Sequence, residues 1–169
     1  MPVDPKAYRN TIGAFATGVV VITTGTEDEN YGVTVNSITS VSLDPTLLLI
    51  CLDLTSLTRN AILRTNHFNV NILSHDQEQI ARFFASKQID QTWFEDLHCT
   101  KDRLGSPVIP GCLAYVECVV TDCHEAGDHT IVLGRVEEAR LTDEVRPLVF
   151  YRGAFGAGQL PQIQAPAAG

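Results

Sequence analysis

Apolar and polar positions alternate along most of the chain with a period near two. His67 to Leu73 shows it well, with Phe68, Val70 and Ile72 on one face and His67, Asn69 and Asn71 on the other. Thr130 to Leu141 repeats the pattern, Ile131, Leu133 and Arg135 opposing Val132, Gly134 and Val136. Gly18 to Thr24, Tyr31 to Val35 and Leu113 to Thr121 are further strand candidates, and Glu27 to Asn30 makes a polar turn between the first two. Leu47 to Asp53 is almost continuously apolar and predicts a strand buried on both faces. Val, Ile and Thr make up about a quarter of the chain, and branching at Cβ favours strands.

Three segments switch to a helical period. The first runs from Pro5 to about Ala16, with Asp4 as N-cap, Pro5 at the first helical position and Tyr8, Thr11, Ile12 and Phe15 on an inner face. A short helix follows Ser56 and carries Leu57, Ala61 and Ile62. The third starts at Asp76, which forms a capping box with Gln79 ahead of the stripe Ile80, Phe83 and Phe84; Trp93 and Phe94 fall in a connecting segment. Helices and strands do not alternate regularly, so a doubly wound parallel sheet is disfavoured. The pattern predicts a mainly β protein, a closed or nearly closed antiparallel barrel with helices at its ends.

The 169 residues suit one domain, residues 1–156, followed by a mobile Ala/Gly/Pro/Gln-rich tail, residues 157–169. A net charge of −8 argues against nucleic acid or anionic lipid as a general partner. With no long apolar run and no signal core at Met1 to Lys6, a cytoplasmic protein without a membrane partner is expected. The five cysteines contain no CxxC pair and read as buried thiols in a reducing compartment. Cys118, Cys123, His124 and His129 match no common zinc spacing, so no metal site is expected. Cys51 lies in an apolar run and is a poor nucleophile candidate; a P-loop, a GxGxxG after a strand and a GxSxG are all missing.

Three segments hold candidate chemistry. Thr34, Asn36, Ser37, Thr39, Ser40 and Ser42 crowd neutral hydrogen-bonding groups into nine positions, which suits a planar ligand with a polar edge or, more blandly, a solvated strand and turn. Asp53 to Asn60 leaves a buried strand and opens a helix, so Ser56, Thr58 and free backbone N–H groups make either an anion site or an ordinary cap; Arg59 neutralises a phosphate there or faces solvent. Gly127-Asp128-His129 turns into a strand, where His129 either reaches a cleft or serves structure.

Taken in order, these pieces resemble the flavin reductases of the FMN-binding split-barrel type, the small reductase components of two-component flavin-dependent monooxygenases. The resemblance runs through Phe15 to Thr23, Gly32 to Ser37, Ser40 to Pro45, Asn69 to Leu73, the helix with Phe83, Gly127 to His129, and Tyr151 to Gly156. Relatives often have two prolines where this chain has Pro45-Thr46, and an aromatic where Ile38 sits.

The resemblance implies a Greek-key split barrel that forms a homodimer. It implies FMN or FAD as the flavin and NADH or NADPH as co-substrate, with hydride passing from nicotinamide C4 to flavin N5 and reduced flavin going to a monooxygenase component. Thr34, Val35, Asn36 and Ser37 are then expected along the isoalloxazine edge and ribityl chain, followed by Cys51, Leu52 and Asp53. Ser56 and Thr58 are expected at the phosphate, and Ala85, Ser86 and Lys87 close the site. His129 is the catalytic candidate, binding and orienting nicotinamide first and donating a proton second, with Tyr151 and Phe155 near the same pocket. The rival readings are a flavin-storing or flavin-sensing barrel without turnover and an oxidase of the pyridoxamine-phosphate type. The latter needs a cationic phosphate site that twelve basic residues without a visible cluster do not supply.

Overall fold

A computed structural model describes residues 3–86, 90–143 and 146–157. The expected tail therefore lies outside the described residues apart from Ala157, which ends a strand; Lys87 lies outside them too. The elements in chain order are α1 (Pro5–Ile12), β1 (Thr17–Gly18), β2 (Val20–Gly25), β3 (Asn30–Val35), β4 (Ile38–Leu43), β5 (Thr46–Asp53), α2 (Leu57–Thr65), β6 (His67–Ile72), α3 (Glu78–Phe84), α4 (Thr92–Asp96), β7 (Thr100–Lys101), β8 (Pro107–Val108), β9 (Ala114–Ala126), β10 (His129–Leu141), β11 (Leu148–Tyr151) and β12 (Ala154–Ala157).

Seven strands form one antiparallel sheet in the order β3-β2-β6-β9-β10-β5-β4. β3 and β4 are its two ends, yet only Asn36 and Ser37 separate them in sequence. A connection of that length spans about 10 Å at most, so the sheet must curl until its edges nearly meet. The result is a split barrel, as expected. The N–H of Cys51 donates to the Ser37 carbonyl at 3.0 Å, and the Ser37 hydroxyl donates to the Cys51 carbonyl at 2.9 Å, which fixes one lip of the split to β5.

Alternation sorts the side chains. Val20, Ile22, Leu48, Ile50, Leu52, Phe68, Val70, Cys118 and Val132 fill the barrel with Ile62 of α2. Val19, Val21, Leu73, Ala81, Phe84, Phe94, Ile109, Cys112 and Leu148 form a second core outside it, beneath α3 and α4. β2 is thus buried on both faces. β5 is not: Leu48, Ile50 and Leu52 point inward, while Leu47, Leu49 and Cys51 are half-buried on the outside. The Asn face of β6 is buried as well. Asn71 donates to the Val21 carbonyl and the Thr23 hydroxyl, and Asn69 donates to Asp102, so the loop before β8 replaces water there.

Several local expectations change. α1 starts as read, Asp4 accepting from the Ala7 N–H at 2.9 Å, but ends at Ile12, and Tyr8, Ile12 and Phe15 are exposed rather than packed. α3 begins at Glu78 without a capping box, because Asp76 accepts from the Ser74 hydroxyl at 2.6 Å. Of its stripe, Phe84 is buried and Phe83 is exposed. Trp93 and Phe94 form a short helix of their own, where Phe84 packs between them as an aromatic cluster.

Candidate functional site

α2 projects its N-terminus from the end of β5. Ser56 sits at the N-cap with an extended backbone, and its hydroxyl accepts from the Arg59 N–H at 3.3 Å. The first-turn N–H groups of Leu57 and Thr58 have no carbonyl of the helix to meet. A cavity of ≈ 160 Å³ opens there, lined by Gly32, Val33, Asp53, Thr55, Ser56, Leu57, Thr58, Ala85 and Ser86. Thr58 is 1% exposed, and its hydroxyl has no hydrogen-bond partner among the described residues. A buried hydroxyl left unpaired costs stability unless a ligand satisfies it. Helix N–H groups and hydroxyls are the donor set that suits a phosphate.

Arg59 is not part of that donor set. Its Nε donates to the Thr130 hydroxyl at 3.0 Å and its guanidinium pairs with Glu125 at 3.2 Å. It neither reaches the cavity nor faces solvent, being 15% exposed; it ties α2 to β9 and β10. Asp53 accepts at Oδ1 from both the N–H and the hydroxyl of Thr55, which shapes the turn into the helix.

Farther along β3 lies a second cavity of ≈ 220 Å³, lined by Val19, Thr34, Val35, Asn36, Ala85, Phe150 and Phe155. Ala85 borders both, and β3 runs from one to the other, so the two make one groove. The second cavity is mainly apolar because its polar side chains are engaged elsewhere. Thr34 donates to the Ala81 carbonyl at 2.7 Å, and Asn36 donates to Thr17 at 3.1 Å. Phe150 and Phe155 face each other across the β11–β12 ladder with centroids 5.2 Å apart, and the Arg82 guanidinium covers the Phe155 ring at 5.1 Å. A slot of this kind suits a flat aromatic ligand.

The structure brings Thr34, Val35, Asn36, Asp53, Ser56, Thr58, Ala85, Ser86 and Phe155 to the groove walls. Five expected residues, Ser37, Cys51, Leu52, Tyr151 and His129, do not line either cavity. Ser37 and Cys51 are bonded to each other at the split, Leu52 points into the barrel, and Tyr151 stands outward under the Arg152 guanidinium. His129 pairs with Asp53 across the β5–β10 ladder and is 44% exposed. Its Nδ1 donates to Asp128 at 2.7 Å, leaving Nε2 without a partner among the described residues. That bond also holds the Asp128 carboxyl below its usual range. Gly32, Val33, Thr55, Leu57, Val19 and Phe150 also line the groove, although none is among the residues expected to bind the flavin or the nicotinamide. Phe150 was legible in principle, since the Tyr151-Arg152-Gly153 turn places it opposite Phe155.

Residues 12–159 match the model of the flavin reductase like domain. The chain belongs to the flavin reductase family. It is similar to the flavin-dependent monooxygenase reductase subunit HsaB of Mycobacterium tuberculosis, 38% identical over 98% of this chain and 88% of that protein. It is also similar to the FMN reductase (NADH) SmoA of Agrobacterium fabrum, 43% identical over 90% of this chain and 86% of that one. Among solved structures it resembles the Streptomyces globisporus NADH:FAD oxidoreductase SgcE6 in complex with NAD and FAD fragments. There the TM-score is 0.84 at 35% identity, covering 99% of each chain. No described helix is long and apolar enough to cross a membrane.

Proposed function

We propose that the protein is an NADH-dependent flavin reductase that supplies reduced flavin to a monooxygenase component, with the flavin in the groove along β3. The unpaired Thr58 hydroxyl at the α2 N-terminus carries the placement, because it marks the phosphate end. The flavin reductase family and the relatives' names support the activity.

Bound flavin supplies the hydride acceptor. This chain's residues bind and orient. Thr58, Ser56 and the first-turn N–H groups of α2 hold the phosphate with neutral donors. Thr34, Val35 and Asn36 flank the ring, with backbone groups as the available hydrogen-bonding partners. Phe150 and Phe155 exclude water from the ring end. His129, fixed by Asp128 and facing Asp53 across the β5–β10 ladder, keeps Nε2 open toward the co-substrate as a binding group; no side chain needs to move a proton during hydride transfer.

A second copy of the chain completes the surface. Tyr8, Ile12, Phe15 and Leu43 are exposed, and the outer face of β5 is half-buried, so a homodimer removes apolar area from water. Light scattering that returned a monomer at micromolar concentration contradicts this.

The activity is tested by following NADH absorbance at 340 nm in air with FMN, FAD or no added flavin. Fast oxidation that requires added flavin supports the reading. Flavin binding without NADH or NADPH oxidation contradicts it.

A further inference from the structure

We infer that Arg9 and Arg152 form a binding pocket for the diphosphate of the dinucleotide co-substrate, beyond the ring end of the groove. The inference rests on the flavin reductase reading above and adds to it a second anion site, separate from the α2 N-terminus.

A cavity of ≈ 390 Å³ is lined by Arg9, Asn10, Gly13 and Arg152. Five other arginines (Arg59, Arg82, Arg103, Arg135 and Arg140) are paired with glutamates. Arg9 and Arg152 have no carboxylate partner among the described residues, in a chain of net charge −8. Two guanidinium side chains lining one cavity without a carboxylate, one of them resting over the Tyr151 ring, favour a dianionic ligand there. The α1 C-terminus supplies only a partial negative end, because most of its last-turn carbonyls are already bonded. The carbonyls of Arg9, Thr11, Ile12 and Gly13 accept from the N–H groups of Gly13, Ala14, Phe15 and Arg152.

The pocket is positioned by the wall of the groove itself. Arg152 lies at the β11–β12 turn with φ 47, followed by Gly153 with φ 80, as a two-residue hairpin of this hand requires. A positive φ is uncommon for arginine, and the Arg152 N–H bond to the Gly13 carbonyl at 2.9 Å holds it against α1. The same hairpin presents Phe150 and Phe155 to the ring cavity, and Phe150 precedes Arg152 by two strand residues, about 7 Å. The Arg152 guanidinium lies over the ring of Tyr151, which faces away from the ring slot. The arginine pocket therefore sits round the tip of the hairpin from that slot, and the diphosphate of a dinucleotide reaches it by passing the tip. A flavin diphosphate lies at the other end of the groove, by Ser56 and Thr58.

The test compares NADH with reduced nicotinamide mononucleotide, which lacks the diphosphate and the adenosine, on wild type and on the Arg9→Gln/Arg152→Gln variant. Losing two charge-assisted contacts raises the KM for NADH by roughly tenfold or more. The kcat and the KM for FMN stay within about twofold, and the preference for NADH over the mononucleotide disappears. Arg9→Lys/Arg152→Lys recovers part of it, which a misfolded variant does not. An unchanged KM for NADH, or equal losses for the two reductants, overturns the pocket. So does a rise in the KM for FAD without one for NADH, which assigns the arginines to the flavin's diphosphate. If wild type oxidises neither reductant with any flavin, the reductase reading fails instead.

Discussion

The Nε of Arg59 donates to the Thr130 hydroxyl across 3.0 Å, and this one bond joins the helix that holds the phosphate end to the strand that begins with His129. Thr130 is 1% exposed, so few other donors can replace the guanidinium. Arg59→Ala removes the bond and the Glu125 pair together and lowers stability by about 1–3 kcal/mol. Calorimetry should show a Tm lower by roughly 2–10 °C, and the KM for both flavin and NADH should rise. A variant with wild-type Tm and kinetics means the tie is incidental.

Thr58→Val separates ligand binding from folding. The hydroxyl has no partner among the described residues, so the near-isosteric Val removes nothing from the free protein. Thermal stability without flavin should be unchanged or slightly higher. FMN affinity, read by quenching of flavin fluorescence, should fall about tenfold for the loss of one bond to a charged oxygen. A fall in stability with unchanged affinity would assign Thr58 to structure.

Gly32 lines the α2 end of the groove and backs onto the outer core. A Cβ there would lie 2.6 Å from the Phe84 ring, which is 1% exposed and held among Trp93 and Phe94. Gly32→Ala therefore forces β3 or Phe84 to move, at a cost of about 1–3 kcal/mol. Weaker flavin binding should accompany a lower urea midpoint. Wild-type values of both would show that the ring gives way freely.

Burial pushes the Cys118 thiol up to about 12 and the Cys99 and Cys112 thiols up to about 11, from an ordinary 9.0. A folded pKa above the unfolded one means the folded chain holds the proton more tightly. Its stabilising effect is complete below pH 9.0 and is lost as pH rises toward 11 and 12. Tm should fall steeply between these limits, and less steeply in Cys99→Ala/Cys112→Ala. Equal slopes in the two proteins would place the alkaline loss elsewhere.

Much of the barrel was legible because period two sets which face each residue occupies; β6 shows it in the alternation of its residue types and the first half of β10 in its alternating burial. The α2 N-terminus was legible because Ser56 caps by a local bond. What sequence could not supply was long-range. Continuous apolar character looked the same in β2 and β5, yet only β2 has a second core behind it. Sequence left Arg59 open between a phosphate and solvent; Glu125 and Thr130, brought beside it by β9 and β10, take it instead. The Thr34 to Ser37 hydroxyls and amide looked free for a ligand because Ala81, Thr17 and Cys51 are distant in sequence.

A crystal structure of the protein with FMN is the most direct test of where the flavin lies. The phosphate should sit at the α2 N-terminus within hydrogen-bond distance of the Thr58 hydroxyl, and the ring between Thr34–Asn36 and Phe155. Flavin density elsewhere, with the groove along β3 empty, would contradict the site.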